Sequence, residues 1–585
     1  MRIRGDRNSV LVATSLVTIM IGCAGPLYRS TEEQLRESLI SSHAAQLQAA
    51  ASSPIIKLTR KPSIVEADIT AERRRELDEI SGMAAYDQQT FNLAQDVLSI
   101  DQTKVSRLNL QEAIAVAVKN NLDLQIARLA PAMIQTRITQ AEAVFDALFF
   151  TQADYSKLDT PQPSGFIPGL VGNTQSEDLN LSTGIRKDLT SGGRITFQTN
   201  AERRHSVPSI FAVNTLYNAD LLVTLEQPLL RGFGADVNRA NIVLGENAHR
   251  TERENLRQNM IDLVAQVEEA YWNLFFAQHQ VLVLSRRLDR TTRDRSRLKP
   301  RIKVDVKPAT LTEVSARVEQ QRADLVRAGQ QIYLATDALK RLLNSRNLPL
   351  ADETLIRPDD QPVEAPLSFS LLDAITTALR HRPEMNAALL DIKDASIRQR
   401  VADNNRLPLL NVAATATTNG LGFDGADDAY SELDEFDFID YMVSARFEWP
   451  IGNRQAEAFY AQRRLERQAS VLAYQRQAQD VLQEVKDAIR EVRTSYELIG
   501  ATRAARRAAA DSLRSLEAEQ QAGAALTPEF INLKLDRQDA LANTELQEVQ
   551  ALVDYNNAIA RFYQAQGTLL DRNNITFTED SGRPY

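Results

Sequence analysis

Two long segments that nearly lack helix-breaking residues constrain this chain more than any other feature. They cover residues 238–300 and 454–521; no Pro precedes Pro300 in the first, and glycine interrupts them only at Gly245 and Gly500. As α-helices, at 1.5 Å per residue, each would be about 90–100 Å long. A globular domain cannot enclose helices of this length, so we expect them to pack sideways on other helices along apolar stripes of the coiled-coil type.

The two halves of the chain are related in sequence. Residues 108–129 read LNLQEAIAVAVKNNLDLQIARL and residues 369–390 read FSLLDAITTALRHRPEMNAALL, and they align without gaps at an offset of 261. Alternating segments, a Pro-terminated segment and a long helical segment follow in both halves. We interpret this as a tandem duplication. The segments are repeat 1 at 108–344, a polar linker at 345–366, repeat 2 at 367–570 and a tail at 571–585.

Each long segment leads into a turn and then into a returning helix. The turns cover residues 303–314 and 520–531, and each contains a Leu-Thr pair. We expect each Thr to cap the next helix, because its hydroxyl can accept a bond from a free amide of the first turn. These pairs are also candidates for contact with a partner protein: Leu311, Thr312, Leu526 and Thr527.

Period-two alternation of apolar and polar residues predicts strands within 148–227 and 409–449. A soluble two-faced sheet has the same period, but strands of about ten residues joined by polar loops, in an exported chain, favour membrane strands. Residues 178–202 read as an additional hairpin. The sequence leaves open whether that hairpin joins the membrane sheet or decorates a sheet of four strands per chain. Four strands cannot close a barrel, so we expect oligomerisation.

The N-terminus reads as an export signal. Basic residues precede an apolar run from Val10 to Ile21, and Cys23, the only cysteine, follows Gly22. A small residue before cysteine suits lipoprotein processing, although an ordinary signal peptide remains the alternative. We therefore predict a signal peptide at 1–22 and a lipid-anchored extension at 23–107.

Composition excludes several other classes of protein. A mean hydropathy of -0.32 excludes a helical membrane protein with many spans. A net charge of -9 gives no indication of a nucleic-acid partner. The five histidines lie far apart in the sequence, so we expect no catalytic residues, no cofactor and no metal site.

Taken in order and duplicated, these motifs resemble the TolC-like family of outer-membrane efflux and secretion channels. The resemblance depends on four motifs: the similar segments that begin at 108 and 369, the strands that end in Pro near 228 and 450, the hairpin turns, and the segment YNNAIARFYQAQGTLL at 555–570. The resemblance implies a mainly α fold with a membrane β-barrel portion, in which a homotrimer forms a long α-helical barrel continuous with that β-barrel.

The resemblance also implies a location in the outer membrane of a Gram-negative-type bacterium, extending into the periplasm. It implies passive export with a periplasmic adaptor protein and an inner-membrane transporter as partners. At the tip of a trimer, Asp305 is our candidate for a constricting or cation-selecting ring, since symmetry repeats its charge. The alternative function is a structural or adhesive periplasmic coiled-coil lipoprotein without a pore.

The predicted anchor gives a direct test. Cys23→Ser should abolish incorporation of radiolabelled palmitate, because the chain contains no other thiol for lipoprotein processing. Labelling of the variant at the level of the unaltered chain would contradict the prediction.

Overall fold

The structure is a computed structural model that describes residues 32–41, 44–52, 55–59, 63–64, 69–86, 104–163, 171–207, 214–303, 307–433, 436–523 and 525–576. Two predicted functional residues, Cys23 and Asp305, lie outside the described residues. The chain divides into two units, Met1–Pro54 and Ile55–Tyr585. The described residues of the first unit form two helices, α1 at Glu32–Ser41 and α2 at Ala44–Ala51.

The second unit is mainly helical and has one large sheet. Its helices are α3 Ala71–Ser81, α4 Leu110–Asn120, α5 Leu122–Glu142, α6 Ala235–Asn238, α7 Ala240–Leu298, α8 Pro308–Leu343, α9 Leu371–His381, α10 Pro383–Asn404, α11 Ala426–Leu433, α12 Arg454–Gln521, α13 Pro528–Gln566 and α14 Leu569–Arg572. Its strands are β1 Ile56–Lys57, β2 Val105–Leu108, β3 Ala147–Pro163, β4 Val171–Asp188, β5 Arg194–Val207, β6 Thr215–Pro228, β7 Leu355–Pro358, β8 Ser368–Phe369, β9 Leu409–Gly422 and β10 Ile439–Glu448.

Corresponding helices occupy corresponding places in the two halves. The bounds of α4 shifted by 261 residues give 371 and 381, which are the bounds of α9. Both helices begin with a side-chain cap, since Asn109 accepts a bond from the Glu112 amide and Ser370 accepts one from the Asp373 amide. The local signals that start the two helices are therefore of the same kind.

The long helices lie side by side with shorter ones in an open layer. Helix α5 packs on α7, α7 packs on α10, and α10 packs on α12, which gives the order α5-α7-α10-α12. The returning helices α8 and α13 pack on α7 and α12 respectively, and α13 also packs on α7. Among the described residues, no helix combines the length and the apolar composition needed to cross a bilayer.

Six long strands form one continuous sheet in the order β10-β9-β6-β5-β4-β3. Every neighbouring pair is antiparallel, so the sheet is a meander with β3 and β10 at its two edges. Strands β4 and β5 contain the hairpin of residues 178–202, and they pair along their length with β3 and β6. The hairpin is therefore part of the six-stranded sheet.

The sheet joins the helices at one end only. Helix α5 leads into β3, β6 leads into α6 and α7, α10 leads into β9, and β10 leads into α12. The short turn between β4 and β5 also lies at this end, because the Gly234 amide donates to the Ser191 carbonyl at 3.0 Å. Gly192 has φ +91°, and an added Cβ would lie 2.1 Å from the Gly232 carbonyl oxygen. Only glycine fits this turn without displacing the loop beside it.

The largest apolar core lies at the middle of the long helices, where α4, α7, α8 and α13 meet. Strand β2 pairs in parallel with β7 beside this core. The buried Tyr271 of α7 donates from its hydroxyl to Asp360 Oδ2 at 2.9 Å and accepts from the Asp360 amide at 3.1 Å. This tyrosine thereby joins the first long helix to the segment between the two halves.

Candidate functional site

The sheet has two chemically different faces. On one face, the paired rows across the six strands contain mostly apolar residues; one such row is Phe149, Ile185, Phe197, Val223, Ala416 and Tyr441. Three residues along each strand, a row on the opposite face contains Gln152, Ser182, Asn200, Asp220 and Asn419. Side chains on the apolar face are exposed to the solvent, with Phe197 at 53% and Tyr441 at 79%. A soluble protein does not leave an apolar surface of this size uncovered.

Helix α11 covers the apolar face at the end far from the helices. Ala429 and Leu433 of this helix pack on Ala219 of β6. Gly420 makes the contact possible, because a Cβ at that position would lie 2.0 Å from the Ala429 carbonyl oxygen. The exposed apolar surface therefore ends at α11.

The edges of the helical layer also expose apolar side chains. On α5, residues spaced at 4, 3 and 4 positions form one stripe, each at least 59% exposed: Leu122, Ile126, Leu129 and Met133. On α12, at the other edge, Leu465 is 60% exposed and Leu472 is 58% exposed. A spacing of seven residues places the latter two on one face of the helix. Both edges of the layer thus resemble halves of a helix–helix interface.

The two helical hairpins meet in a small apolar core at their turns. Helix α7 ends at Leu298 and continues as one turn of 3₁₀ helix, Lys299–Lys303, before α8 begins at Pro308. The buried members of the core are Leu298, Val314, Leu526, Ile531 and Leu535, with Leu311 and Phe530 partly buried against them. This tip core joins the first hairpin to the second.

The structure places the four predicted contact residues in different environments. Thr527 caps α13 as the sequence predicts, since its hydroxyl accepts from the Phe530 amide at 3.2 Å. The predicted capping role of Thr312 is wrong: α8 begins four residues earlier, and the Thr312 hydroxyl donates to the Pro308 carbonyl at 3.2 Å. Proline suits the first helical position because it lacks the amide that would need a cap.

Exposure separates these residues further. Thr312 and Thr527 are exposed, and Leu311 is partly buried. Leu526 is only 7% exposed and belongs to the tip core. Among the described residues, the exposed surface of the two turns therefore includes the threonines and their neighbours Ala309 and Ala525.

A buried polar cluster lies behind the tip core. Lys534 Nζ donates to Asp294 Oδ1 at 2.6 Å and to Gln520 Oε1 at 2.8 Å. Gln538 Nε2 donates to the other oxygen of Asp294 at 2.8 Å, and Thr291 donates to Gln538 Oε1 at 3.3 Å. The ion pair is buried, and its hydrogen bonds are satisfied only when the three helices are in one relative position. It therefore fixes the register of α7, α12 and α13.

A second set of charges continues this arrangement away from the tip. Arg317 of α8 donates to Asp539 Oδ2 at 2.7 Å, and Gln321 donates to the other oxygen of Asp539 at 3.1 Å. Arg287 of α7 donates to Asp324 of α8 at 2.8 Å. These bonds hold α7, α8 and α13 together over the last turns before the tip.

Residues 69–86, which we call the N-terminal clamp, bind the long helices from outside their own hairpins. Leu77 of α3 is fully buried with Ala510, Leu513 and Leu541. Asp78 Oδ1 accepts from Arg506 and Asp78 Oδ2 from Arg507, both at 2.6 Å. Arg506 lies 15 residues before the end of α12, which is about 22 Å along the helix.

Charged residues of α12 and α13, together with Tyr86, also link the clamp region to the linker and to α13. Arg503 donates to Glu548 Oε1 at 2.6 Å and to Glu364 Oε1 at 2.6 Å, and Arg506 also donates to Glu548. Tyr86 donates to the buried Glu545 at 2.7 Å. The clamp thus contributes donors and acceptors to an ionic network that spans α12, α13 and the linker.

Local environment sets the protonation of these groups. Burial raises the pKa of Asp78, but the bonds from Arg507 and Arg506 outweigh it and hold the pKa below the ordinary value of 3.8. Burial lowers the pKa of Arg503, and the carboxylates of Glu364 and Glu548 more than offset this and raise it. Burial raises the pKa of Glu545.

Sequence reasoning missed the polar cluster and the contacts that the clamp makes. A weak signal for the first exists, since Asp294 stands on the same helix face as Thr291 and Leu298, where an apolar residue is usual. Asp78 and Arg506 are 428 residues apart in the sequence, and no local pattern connects them. Within the described residues, no group of three or more His, Cys, Asp or Glu side chains could hold a metal ion.

The second half of the chain is similar to a known protein family. Residues 374–568 match the family model of the outer membrane efflux protein. No curated protein sequence matches the chain closely enough to count as a relative. This family match, together with the channel structures below, confirms the resemblance to the TolC-like family of outer-membrane efflux channels.

Several solved structures have the same fold. A membrane protein from Pseudomonas aeruginosa is 18% identical, with a TM-score of 0.56 over 78% of this chain and 93% of its own. The CmeC outer membrane channel of Campylobacter jejuni is 15% identical, with a TM-score of 0.56 over 88% and 95%. The open state of the MtrE outer membrane channel of Neisseria gonorrhoeae is 17% identical, with a TM-score of 0.53 over 79% and 89%. At these identities the likeness is one of fold.

The buried ion pair behind the tip gives a stability prediction. Lys534→Met leaves the Asp294 carboxylate buried without its cation, which should cost about 3–5 kcal/mol. Hydrogen exchange of peptides covering the start of α13 should report the loss. Arg537→Met, at an exposed position of the same helix, is the matched control and should have little effect.

The double variant Asp294→Leu with Lys534→Met should recover most of the lost protection, because both charges are removed together. Equal protection in Lys534→Met and the unaltered chain would show that the ion pair does not hold the tip.

The clamp gives a prediction about pH. The pKa of Asp78 is lower in the folded chain than its ordinary value of 3.8, so its contribution is present above pH 3.8 and is lost as the pH falls through the lowered pKa. Hydrogen-exchange protection of α3 should therefore decrease in acid. Asp78→Asn should lower the protection at neutral pH and reduce the acid dependence.

Glu79→Gln is the control, since Glu79 is exposed on the same helix. The assignment to Asp78 is wrong if the acid dependence of α3 protection is the same in Asp78→Asn and in Glu79→Gln.

Proposed function

We propose that this chain, whose residues 374–568 match the outer membrane efflux protein family, forms the outer-membrane duct of a tripartite efflux or type I secretion system. Three copies close the sheet into a membrane β-barrel and the helices into a periplasmic tube. Substrates pass through both without chemical change. The two halves are a tandem duplication, and the duct works with a periplasmic adaptor protein and an inner-membrane transporter.

The observation that carries this proposal is that the sheet and the helical layer are open at matching places. Strands β3 and β10 are the edges of the sheet, and the elements that follow or precede them, α5 and α12, are the edges of the layer. Strand β3 leaves the helical end and β10 returns to it, so β10 of one copy can pair antiparallel with β3 of the next. A closed ring satisfies the edge amides and carbonyls, which a bilayer requires.

The exposed stripes on the two edge helices lie at similar distances from the sheet. Counting at 1.5 Å per residue, Met133 to Leu122 lie about 14–30 Å from the end of α5 that meets β3. Leu465 and Leu472 lie about 16–27 Å from the start of α12. A second copy, placed so that its α12 lies beside α5, would cover both stripes at once.

The apolar face of the sheet would contact outer-membrane lipid, and the polar face would line the water-filled lumen. Acylation of Cys23 would add a lipid anchor. At the other end, Thr312 and Thr527, with Leu311 and Leu526 beneath them, would form the surface for the adaptor. Asp305 would form a ring of charge at the tip.

The experiment uses the full chain purified in detergent. Light scattering should give three times the mass of the chain, and insertion into a planar lipid bilayer should give discrete conductance steps. Ile126→Asp should reduce the trimer at least about tenfold, because three carboxylates would replace apolar contacts between copies. Thr139→Asp, exposed on the same helix outside the stripe, should stay trimeric and conductive.

A stable trimer that never conducts would favour the coiled-coil lipoprotein without a pore. Two copies could also pair both edges of the sheet and close a ring. A dimer in solution would therefore contradict the threefold arrangement. Loss of the trimer in both aspartate variants would show that the stripe on α5 is not the interface.

A further inference from the structure

We propose that β4 and β5 cross the membrane with the other four strands, so that the duct ends in an eighteen-stranded exit instead of a twelve-stranded one. The number follows from six strands in the sheet and three copies, and it rests on the proposed trimer. The exit would accept hydrated polymers, including polypeptide segments, that are too wide for twelve strands.

The apolar rows of the sheet continue across β4 and β5, which is the first reason to place these strands in the membrane. Phe197 of β5 pairs with Ile185 of β4 and with Val223 of β6, and all three lie on the exposed apolar face. One residue along, Gln198 faces the opposite side. An external elaboration has no reason to continue the lipid-facing pattern of the neighbouring strands in the same register.

The height of the apolar face carries the second step. On β5 it runs from Ile195 through Phe197 and Thr199 to Ala201, which lies in the row that α11 covers on β6, and Arg203 follows on the same face. Six residues of rise, tilted by about 40°, give about 15 Å, and the eight residues to the Arg203 row give about 20 Å, against the roughly 25 Å of an outer-membrane barrel. Lys187 at one border and Arg203 at the other bracket the band, where long cationic side chains reach the headgroups.

The position of the turn carries the third step. Residues 189–193 form the short connection of β4 to β5 at the helical end, held there by the bond from Gly234 to Ser191. At the opposite end, β3 ends and β4 begins with seven residues between them, β5 and β6 are separated by seven residues, and β9 and β10 by sixteen. Short periplasmic turns and long outer loops are the pattern of outer-membrane barrels.

The width of the sheet in each copy, compared with the width of the helical layer, gives a fourth reason. At a spacing of about 4.8 Å and a tilt of about 40°, six strands occupy about 38 Å of arc and four strands occupy about 25 Å. The four helices of the layer, 8–10 Å apart, occupy about 32–40 Å. Six strands therefore match the width of the helices that feed them, whereas four would require the tube to narrow sharply at the joint.

The same arithmetic gives the bore. Eighteen strands form a backbone cylinder about 36 Å across, against about 24 Å for twelve, and side chains reduce each by about 10 Å. The open diameter is then about 26 Å instead of about 14 Å. The exit would admit a polymer of about 10 Å radius, which twelve strands would exclude.

Paired arginine substitutions test the membrane position of the hairpin. Phe197→Arg puts a charge on the lipid face of β5, and Gln198→Arg puts one on its lumen face. Val223→Arg and Thr224→Arg do the same on the neighbouring strand β6. We expect both lipid-face variants to lower the assembled protein in the outer membrane at least about tenfold, and both lumen-face variants to leave it near the unaltered level.

The outcomes separate this inference from the proposed function. If Val223→Arg impairs assembly and Phe197→Arg does not, the hairpin is outside the bilayer and the inference fails, while the duct stands. If neither lipid-face variant has an effect, the sheet is not a membrane sheet, and both proposals fail.

The bore is tested with poly(ethylene glycol) of graded size, added on the loop side of a channel in a planar bilayer. The full chain should admit polymer of about 10 Å radius, and a variant lacking residues 171–207, in which β3 would pair with β6, should exclude it. An unaltered chain that excludes this polymer would overturn the wide exit, whether or not the deletion variant assembles.

Discussion

An unpaired strand edge is the constraint on which the rest of this structure depends. The sheet leaves ten residues of β10 and seventeen of β3 with one side unpaired within the described chain. In a bilayer each unpaired amide or carbonyl is costly, so in the membrane position that we propose the edges would pair with further copies of the chain. The edge helices α5 and α12 expose apolar stripes at similar distances from the sheet, so the contact that closes the sheet would also cover the helices.

The regular segments of this fold follow from local sequence. The absence of proline and the near absence of glycine determine the lengths of α7 and α12, and alternation determines the two faces of β6 and β10. Capping is predictable where the signal is unambiguous, as at Thr527. It fails at Thr312, because Pro308 offers a better helix start four residues earlier.

Contacts between distant segments are where sequence reasoning stops. From the sequence, Leu526 is a candidate for contact with a partner protein, because it is an apolar residue in a turn. Only the packing of the two hairpins shows that it belongs to the tip core. The partner of Asp294 is 240 residues away in Lys534, and a buried charge without a known partner has no local signature. The hairpin of β4 and β5 is intermediate: its alternation is local, but its membership of the sheet depends on pairing with β6.

The clamp also has a consequence for the order in which the chain folds. Asp78 is made early in synthesis, but its partners Arg506 and Arg507 lie more than 400 residues later. Contacts of such high sequence separation form late, because the loop between them must be ordered first. The clamp binds residues of both α12 and α13, so it can dock only after these two helices have paired. Until then, Arg506, Glu545 and Glu548 stay uncovered by the clamp. Docking of α3 would therefore act as a final step that distinguishes a completed chain from a partly folded one.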